Sequence, residues 1–264
     1  MAKPEPSICF IGCGNMGGAI LTRWLATGID PAQVTIIDPA LPEFGVRTVA
    51  APLATMPTGE VVMLCIKPQM VTAIVPIVAP LISARTIVIS IMAGVSIATL
   101  RTHFPEGAII RAMPNLPVAI GQGVVALYGE GGSVRDTVNR LMTPLGIVEW
   151  LENETQFDAV TALSGSGPAF VYRFIGAMAA GGAKLGLDAE QARRMAAATV
   201  AGAGALAQTS GEDPRAMADR VTSKAGTTQS GLRVMDAGGV LEKLVAQTLS
   251  AAAKRSEELG ARPD

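Results

Sequence analysis

The sequence predicts an α/β domain on a mostly parallel sheet, followed by an all-α domain. Three observations carry this. Short apolar runs alternate with helical stretches through the first half of the chain, which is how a parallel sheet with helices on both faces reads. The first run stops at G-C-G-N-M-G, a glycine turn leading into a helix. After Trp150 the strand-like runs end and long stretches rich in Ala, Leu, Met and Gly take over.

The elements follow in order. Residues 7–11 (S-I-C-F-I) are a strand, and residues 19–26 continue as a helix to the Thr27-Gly28 stop. Residues 34–37 (V-T-I-I) are a second strand, closed by Asp38-Pro39, and further strands are expected at 61–66, 86–91, 108–111 and 123–127. Helices are expected over 157–186, 188–210, 214–221 and 241–259, with Gly211-Glu212-Asp213-Pro214 as a break. The small-residue patterns in these helices allow close approach, and their scarcity of charge asks for partner surface, so this half reads as a dimerisation domain. The division is 1–157, a nucleotide-binding Rossmann domain, and 158–264, a helical dimerisation and substrate-binding domain.

Composition limits the function classes. Of 264 residues, 49% are hydrophobic and only 16% charged, so a large core and an oligomeric surface are expected. The net charge of −1, with no basic run, argues against nucleic acid or an anionic membrane as partner. No signal-peptide pattern and no run long enough to span a bilayer is found, so a cytoplasmic protein is expected. Cys9, Cys13 and Cys65 lack metal-ligand spacing and read as small core residues in a reducing compartment. No clustering of His and carboxylates would build a metal site, and no metal is expected.

The glycine motif has a mechanical reading. Gly12 permits the tight turn, Gly14 lets the backbone approach a pyrophosphate, and Gly17 lets the helix pack closely on the sheet. The helix start then offers its N–H groups and positive dipole end to phosphates. Asp38, about 20 residues beyond Gly17, stands where a carboxylate accepts bonds from the adenosine ribose hydroxyls. A 2′-phosphate there would meet a like charge, so the cofactor is NADPH or NADH with Asp38 leaning toward NADH. The alternative is that Asp38 only starts the turn before Pro39. Lys67-Pro68 ends a strand at the carboxyl edge of the sheet, and Lys67 either faces the cofactor or is a solvated strand-end lysine. Asn115, between Pro114 and Pro117, can present an amide to nicotinamide or substrate.

Two polar stretches interrupt the helical half. Ser164-Gly165-Ser166-Gly167-Pro168 offers hydroxyls and N–H groups at a helix start, or is a flexible kink between domains. Residues 223–228 (S-K-A-G-T-T) read as a gripping loop, in which Lys224 either meets the ligand or points to solvent. The single histidine, His103, reads as part of a surface turn between two strands and as a poor general acid. With no Ser-His-Asp order, Cys/His pair or HExxH motif, hydride transfer from a nicotinamide is the chemistry left open. An imine nitrogen is basic enough to arrive protonated, so its reduction needs orientation and a hydride more than a strong acid. The shortage of conventional acids therefore points toward imine reduction.

These motifs resemble the Δ1-pyrroline-5-carboxylate reductase family. The matching segments are I-G-C-G-N-M-G at 11–17, V-V-M-L-C-I-K-P-Q at 61–69, V-I-S-I-M-A-G-V at 88–95, R-A-M-P-N-L-P at 111–117, A-V-T-A-L-S-G-S-G-P-A-F at 159–170 and R-V-T-S-K-A-G-T-T at 220–228. The resemblance implies reduction of Δ1-pyrroline-5-carboxylate to L-proline with NADPH or NADH, and a homodimer often assembled further into a decamer. It implies that Ser223, Gly226, Thr227 and Thr228 bind the substrate carboxylate, with Thr228 nearest the ring nitrogen and hence catalytic. It implies that Gly14, Asn15, Met16 and Gly17, with Ile66, Lys67 and Pro68, line the cofactor, and that Ala93 and Asn115 lie near the nicotinamide. The chain departs from the family pattern at Lys224, Ala225, Leu116, Met92, Gln229, Ser230, Gly176 and Asp38. Met92, Leu116 and Lys224 motivate one alternative, a reductase of a related cyclic imino acid; a catalytically silent nicotinamide-binding scaffold is the other. A β-hydroxyacid dehydrogenase would need a catalytic lysine within 168–183, and none is there.

Overall fold

The computed structural model describes residues 6–51, 59–130 and 132–260, so the outer ends of the two expected domains lie outside the described residues. The described residues divide into two compact units, one of the residues up to Ser166 together with those from Ala252 on, and the other Gly167–Ala251.

Among the described residues of the first unit, eight strands form one sheet in the order β3-β2-β1-β4-β5-β6-β7-β8. They are β1 (Ile8–Ile11), β2 (Val34–Ile37), β3 (Arg47–Val49), β4 (Val61–Leu64), β5 (Ile87–Ser90), β6 (Ala108–Pro114), β7 (Gly123–Gly129) and β8 (Gly146–Trp150). All pairs are parallel except β6 with β7. The mostly parallel α/β architecture read from the sequence is the one observed. The exception has a local cause. Residues 115–122 connect β6 to β7 through a short 3₁₀ turn, Leu116–Ile120, and a connection that short can only reverse the chain.

β1, β4 and β5 are buried along their whole length, so they read as unbroken apolar runs, yet their side chains alternate between two cores. Ile8, Phe10, Val61, Met63, Ile87 and Ile89 point to one core, which α1 (Asn15–Ala26) and α4 (Arg135–Met142) cover with Ile20, Leu21, Trp24, Val138, Leu141 and Met142. Cys9, Ile11, Val62, Leu64 and Val88 point to the other core, covered by α2 (Val71–Val78) and α3 (Ile97–His103). Trp24 anchors the first core. Its ring meets Phe10 edge-on at 5.6 Å, and its Nε1–H donates to the Leu141 carbonyl at 2.6 Å.

Three sequence expectations change here. β3 and β8 have no counterpart among the expected strands. They are the two edges of the sheet, one of three residues and one half-buried in alternation, so neither shows an apolar run. His103 closes α3 instead of lying in a turn between strands, its helix being N-capped by Ser96, whose side chain accepts from Thr99 N–H at 3.0 Å. The helix expected over 157–186 is broken into α5 (Phe157–Val160), a π-helical turn at Thr161–Gly165 and α6 (Gly167–Lys184).

The second unit holds α6, α7 (Ala189–Ser210), α8 (Pro214–Arg220), α9 (Thr227–Asp236) and the first part of α10 (Val240–Gly260). Asp188 and Asp213 cap α7 and α8, accepting from Gln191 N–H at 2.9 Å and from Arg215 N–H at 2.9 Å. These helices bury almost nothing within the chain. No residue of α6, α8 or α9 is buried, and α7 buries only Ala192 and Ala196. Phe174, Leu206, Val234 and Leu244 lie exposed, Val234 at 75%. An apolar surface this wide is partner surface. Among the described residues no helix is long and apolar enough to cross a membrane.

Candidate functional site

The glycine turn is built as its residues suggested. Gly12 takes φ +79, and a Cβ on it would lie 2.8 Å from Ile66 Cγ2 and 3.0 Å from the Cys65 carbonyl oxygen. Its N–H donates to the Ile37 carbonyl at 2.9 Å, tying the turn to the end of β2. Gly14 is the N-cap of α1 and has no side chain to cap it, so the first amides of the helix have no acceptor within the helix. Gly17 lets α1 close on the sheet, since a Cβ there would stand 3.1 Å from Cys65 Cβ. These open amides, together with a backbone that a single methyl group would obstruct, fit a pyrophosphate.

Asp38 ties this turn to the chain that follows β2. One carboxylate oxygen accepts from Cys13 N–H at 2.7 Å and the other from Ala40 N–H at 2.8 Å. Each oxygen keeps a second lone pair, so the group can still accept ribose hydroxyls. It lines a cavity of about 340 Å³ with Gly12, Gly14, Ile66 and Lys67, closed by an apolar wall that includes Met70 and Ile74. That wall went unread in the sequence. Nothing in the sequence separates Met70 and Ile74 from an ordinary helix face.

A second cavity of about 510 Å³ joins Gly14, Asn15, Met16 and Gly17 to Ile66, Lys67 and Pro68, with Ile91, Met92 and Ala93 on its far side. The expected cofactor residues of the first unit thus line one or both of two cavities that share Gly14, Ile66 and Lys67. Asn115 is the exception. It lines neither cavity, and its amide is engaged inside the fold: Nδ2 donates to the Ser164 carbonyl at 3.0 Å, and Oδ1 accepts from Val124 N–H at 2.9 Å. The Ser-Gly-Ser-Gly segment is likewise engaged, with the residues just before it, the Ser164 hydroxyl donating to Val160 O at 3.0 Å and Ser166 N–H to Thr161 O at 2.8 Å.

The thiols beside the turn are inert. Burial pushes Cys13 up to about 11, helped by the Asp38 charge, and pushes Cys9 up to about 12. Burial also holds Cys65 well above the usual thiol range. None forms a nucleophilic thiolate near neutral pH.

In the second unit, the expected loop holds over residues 223–226 and its last two residues start a helix. Gly226 is the N-cap of α9, and Thr227 and Thr228 are its first two residues. Within α9 the first bonded amide is Ser230 N–H, which donates to Gly226 O at 3.2 Å. The N–H groups of Thr227, Thr228 and Gln229 therefore converge at the positive end of the helix. Ser223 is folded over this end so closely that a Cβ on Gly226 would strike its Oγ. Lys224 is exposed and makes no hydrogen bond or ion pair among the described residues.

Against known proteins, the family model described as pyrroline-5-carboxylate reductase dimerisation matches residues 154–259. The model described as NADP oxidoreductase coenzyme F420-dependent matches residues 7–94. The pyrroline-5-carboxylate reductase of Pseudomonas aeruginosa is 36% identical, over 96% of this chain and 97% of its own. The chain belongs to the pyrroline-5-carboxylate reductase family. The family extends to plants, where the Pisum sativum pyrroline-5-carboxylate reductase is 32% identical over 95% of this chain and 94% of its own. The solved pyrroline-5-carboxylate reductase from Coxiella burnetii superimposes with a TM-score of 0.89 at 28% identity, covering 97% of this chain and 99% of its own. The Plasmodium falciparum enzyme, solved with NADP bound, shares the fold, with a TM-score of 0.86 at 23% identity over 97% of this chain and 98% of its own. The exposed helices of the second unit fall within the dimerisation model, which accounts for their missing core by homo-oligomerisation.

Proposed function

We propose that this chain reduces Δ1-pyrroline-5-carboxylate to L-proline with a nicotinamide coenzyme, taking NADH in preference to NADPH. We also propose that it works as a cytoplasmic homodimer able to assemble further, as in a decamer. The observation that carries the reading is the start of α9, where the amides of Thr227, Thr228 and Gln229 are left open in a member of this family.

In this reading the amides of Thr227 and Thr228 and the hydroxyl of Ser223 hold the substrate carboxylate, as helix N-termini hold anions. Thr228 places its hydroxyl at the ring nitrogen and keeps the iminium proton oriented, so no strong acid is required. The turn from Gly12 to Gly17 holds the coenzyme pyrophosphate, Asp38 the adenosine ribose, and Ile66, Lys67, Pro68 and Ala93 the path toward the reactive ring. When bound, the nicotinamide supplies the hydride. Asn115 serves indirectly, fixing the turn at Ser164.

The test is the initial rate on racemic pyrroline-5-carboxylate with NADH and with NADPH. Absence of coenzyme oxidation with either would refute the reaction, and faster turnover of a six-membered cyclic imino acid would reassign the substrate. A like charge about 4 Å from Asp38 costs about 1 kcal/mol in water and about 4 kcal/mol at an effective dielectric of 20. Asp38→Ser should therefore narrow the NADH preference about five-fold or more. An unchanged ratio removes that role from Asp38.

A further inference from the structure

Ala225, immediately before α9, has φ +61; among the described residues only Leu41 is another non-glycine with positive φ. That conformation is disfavoured for any residue with a Cβ, so something must hold it. The holder is visible. Gln229 Oε1 accepts from Ala225 N–H at 2.9 Å. Gln229 is the third residue of α9, from which a glutamine ordinarily reaches back to the N-cap amide. Here that amide is already taken, because Gly226 N–H donates to Ser223 O at 3.0 Å. The Gln229 oxygen reaches one residue further. Both amides preceding the helix are thereby closed off internally, and those of Thr227, Thr228 and Gln229 are left for a ligand.

We propose that Gln229 is a positioning residue for substrate binding: its side-chain oxygen locks Ala225 in the left-handed conformation and so fixes the direction in which the first turn of α9 presents its N–H groups. The inference rests on the carboxylate reading of this turn. Gln229 touches no reacting atom in this role. Its loss should raise KM for the imino acid and leave kcat nearly alone.

The test compares four proteins: wild type, Gln229→Leu, Ala225→Gly and the double variant. Removing one such hydrogen bond should raise KM in Gln229→Leu about five-fold, with kcat within about two-fold of wild type. Glycine adopts positive φ without help, so Ala225→Gly in the Gln229→Leu background should return KM to within about two-fold of wild type. Gln229→Ala, which removes the same oxygen with less bulk, should match Gln229→Leu. A wild-type KM in the single glutamine variants, or a KM still raised in the double variant, overturns the proposal. Ser223→Ala, which removes the hydroxyl assigned to the carboxylate, is assayed in parallel and separates the two readings. If it leaves KM unchanged, the carboxylate reading falls and this inference with it; if it raises KM while Gln229→Leu does not, only the role of Gln229 falls.

Discussion

Gly12→Ala isolates the close approach on which the nucleotide turn depends. Two terms add. An L-residue in left-handed backbone costs about 1–2 kcal/mol. The new Cβ would also stand 2.8 Å from Ile66 Cγ2 and 3.0 Å from the Cys65 carbonyl. The Ile66 methyl can give way, but the carbonyl cannot easily, because the Cys65 peptide continues the sheet through Cys65 N–H to Ile11 O at 2.9 Å. Overpacking of this kind costs about 1–3 kcal/mol, so the total is about 2–5 kcal/mol. Gly28→Ala is the matched control: φ there is +105, but nothing lies within 4 Å of a Cβ, so only the backbone term applies. At about 2–4 °C per kcal/mol, Gly12→Ala should lower Tm by roughly 4–20 °C and Gly28→Ala by roughly 2–8 °C, at one fixed protein concentration. A titration of NADH by protein fluorescence should show Gly12→Ala weakened about ten-fold or more while Gly28→Ala binds normally, since 1.4 kcal/mol is a factor of ten. Equal Tm losses in the two variants, or wild-type NADH affinity in Gly12→Ala, would refute the account of the turn.

Trp24→Phe keeps the ring against Phe10 but leaves the buried Leu141 carbonyl without its donor, and should cost about 1–3 kcal/mol in urea unfolding. Arg111 is buried, pairs with Glu154 at 2.7 Å and stacks on the Phe157 ring at 4.1 Å. Arg111→Met should cost about 3 kcal/mol by the same measurement, and adding Glu154→Gln should recover part of it. The Cys9 thiol is raised to about 12 by burial, above an unfolded value of about 8.5. Its contribution to stability is full below about 8.5 and falls by about 1.4 kcal/mol per pH unit as pH rises toward 12, because the unfolded chain loses the proton first. Cys9→Ala should flatten that alkaline loss when denaturation midpoints are compared between pH 8 and 10.5.

The central strands were legible because each is buried on both faces and therefore apolar throughout, as V-V-M-L in β4 shows. The edge strands were not, since Arg47–Val49 has one neighbour and need not be apolar. The glycine turn was legible because only backbone geometry is at stake. Met70 and Ile74 were missed because an apolar pocket wall and an ordinary helix face use the same residues. Asn115 shows a different limit: a short polar side chain between two prolines reads as available, while its bonds to Val124 and Ser164 come from partners distant in sequence. Gln229 shows the same limit in reverse. T-T-Q-S read as loop hides a glutamine at the third position of a helix, and the φ of Ala225 shows what that glutamine has to hold.

The helices from α6 to α9 keep almost no interior of their own. A second copy of the chain is what would supply the missing interior, and if it does, assembly and folding of this half are coupled. Its stability is then a property of a solution and not of a molecule. Dilution should act on it as a denaturant does, and a subunit able to dock but not to catalyse would rescue its partner's structure while halving the number of working sites.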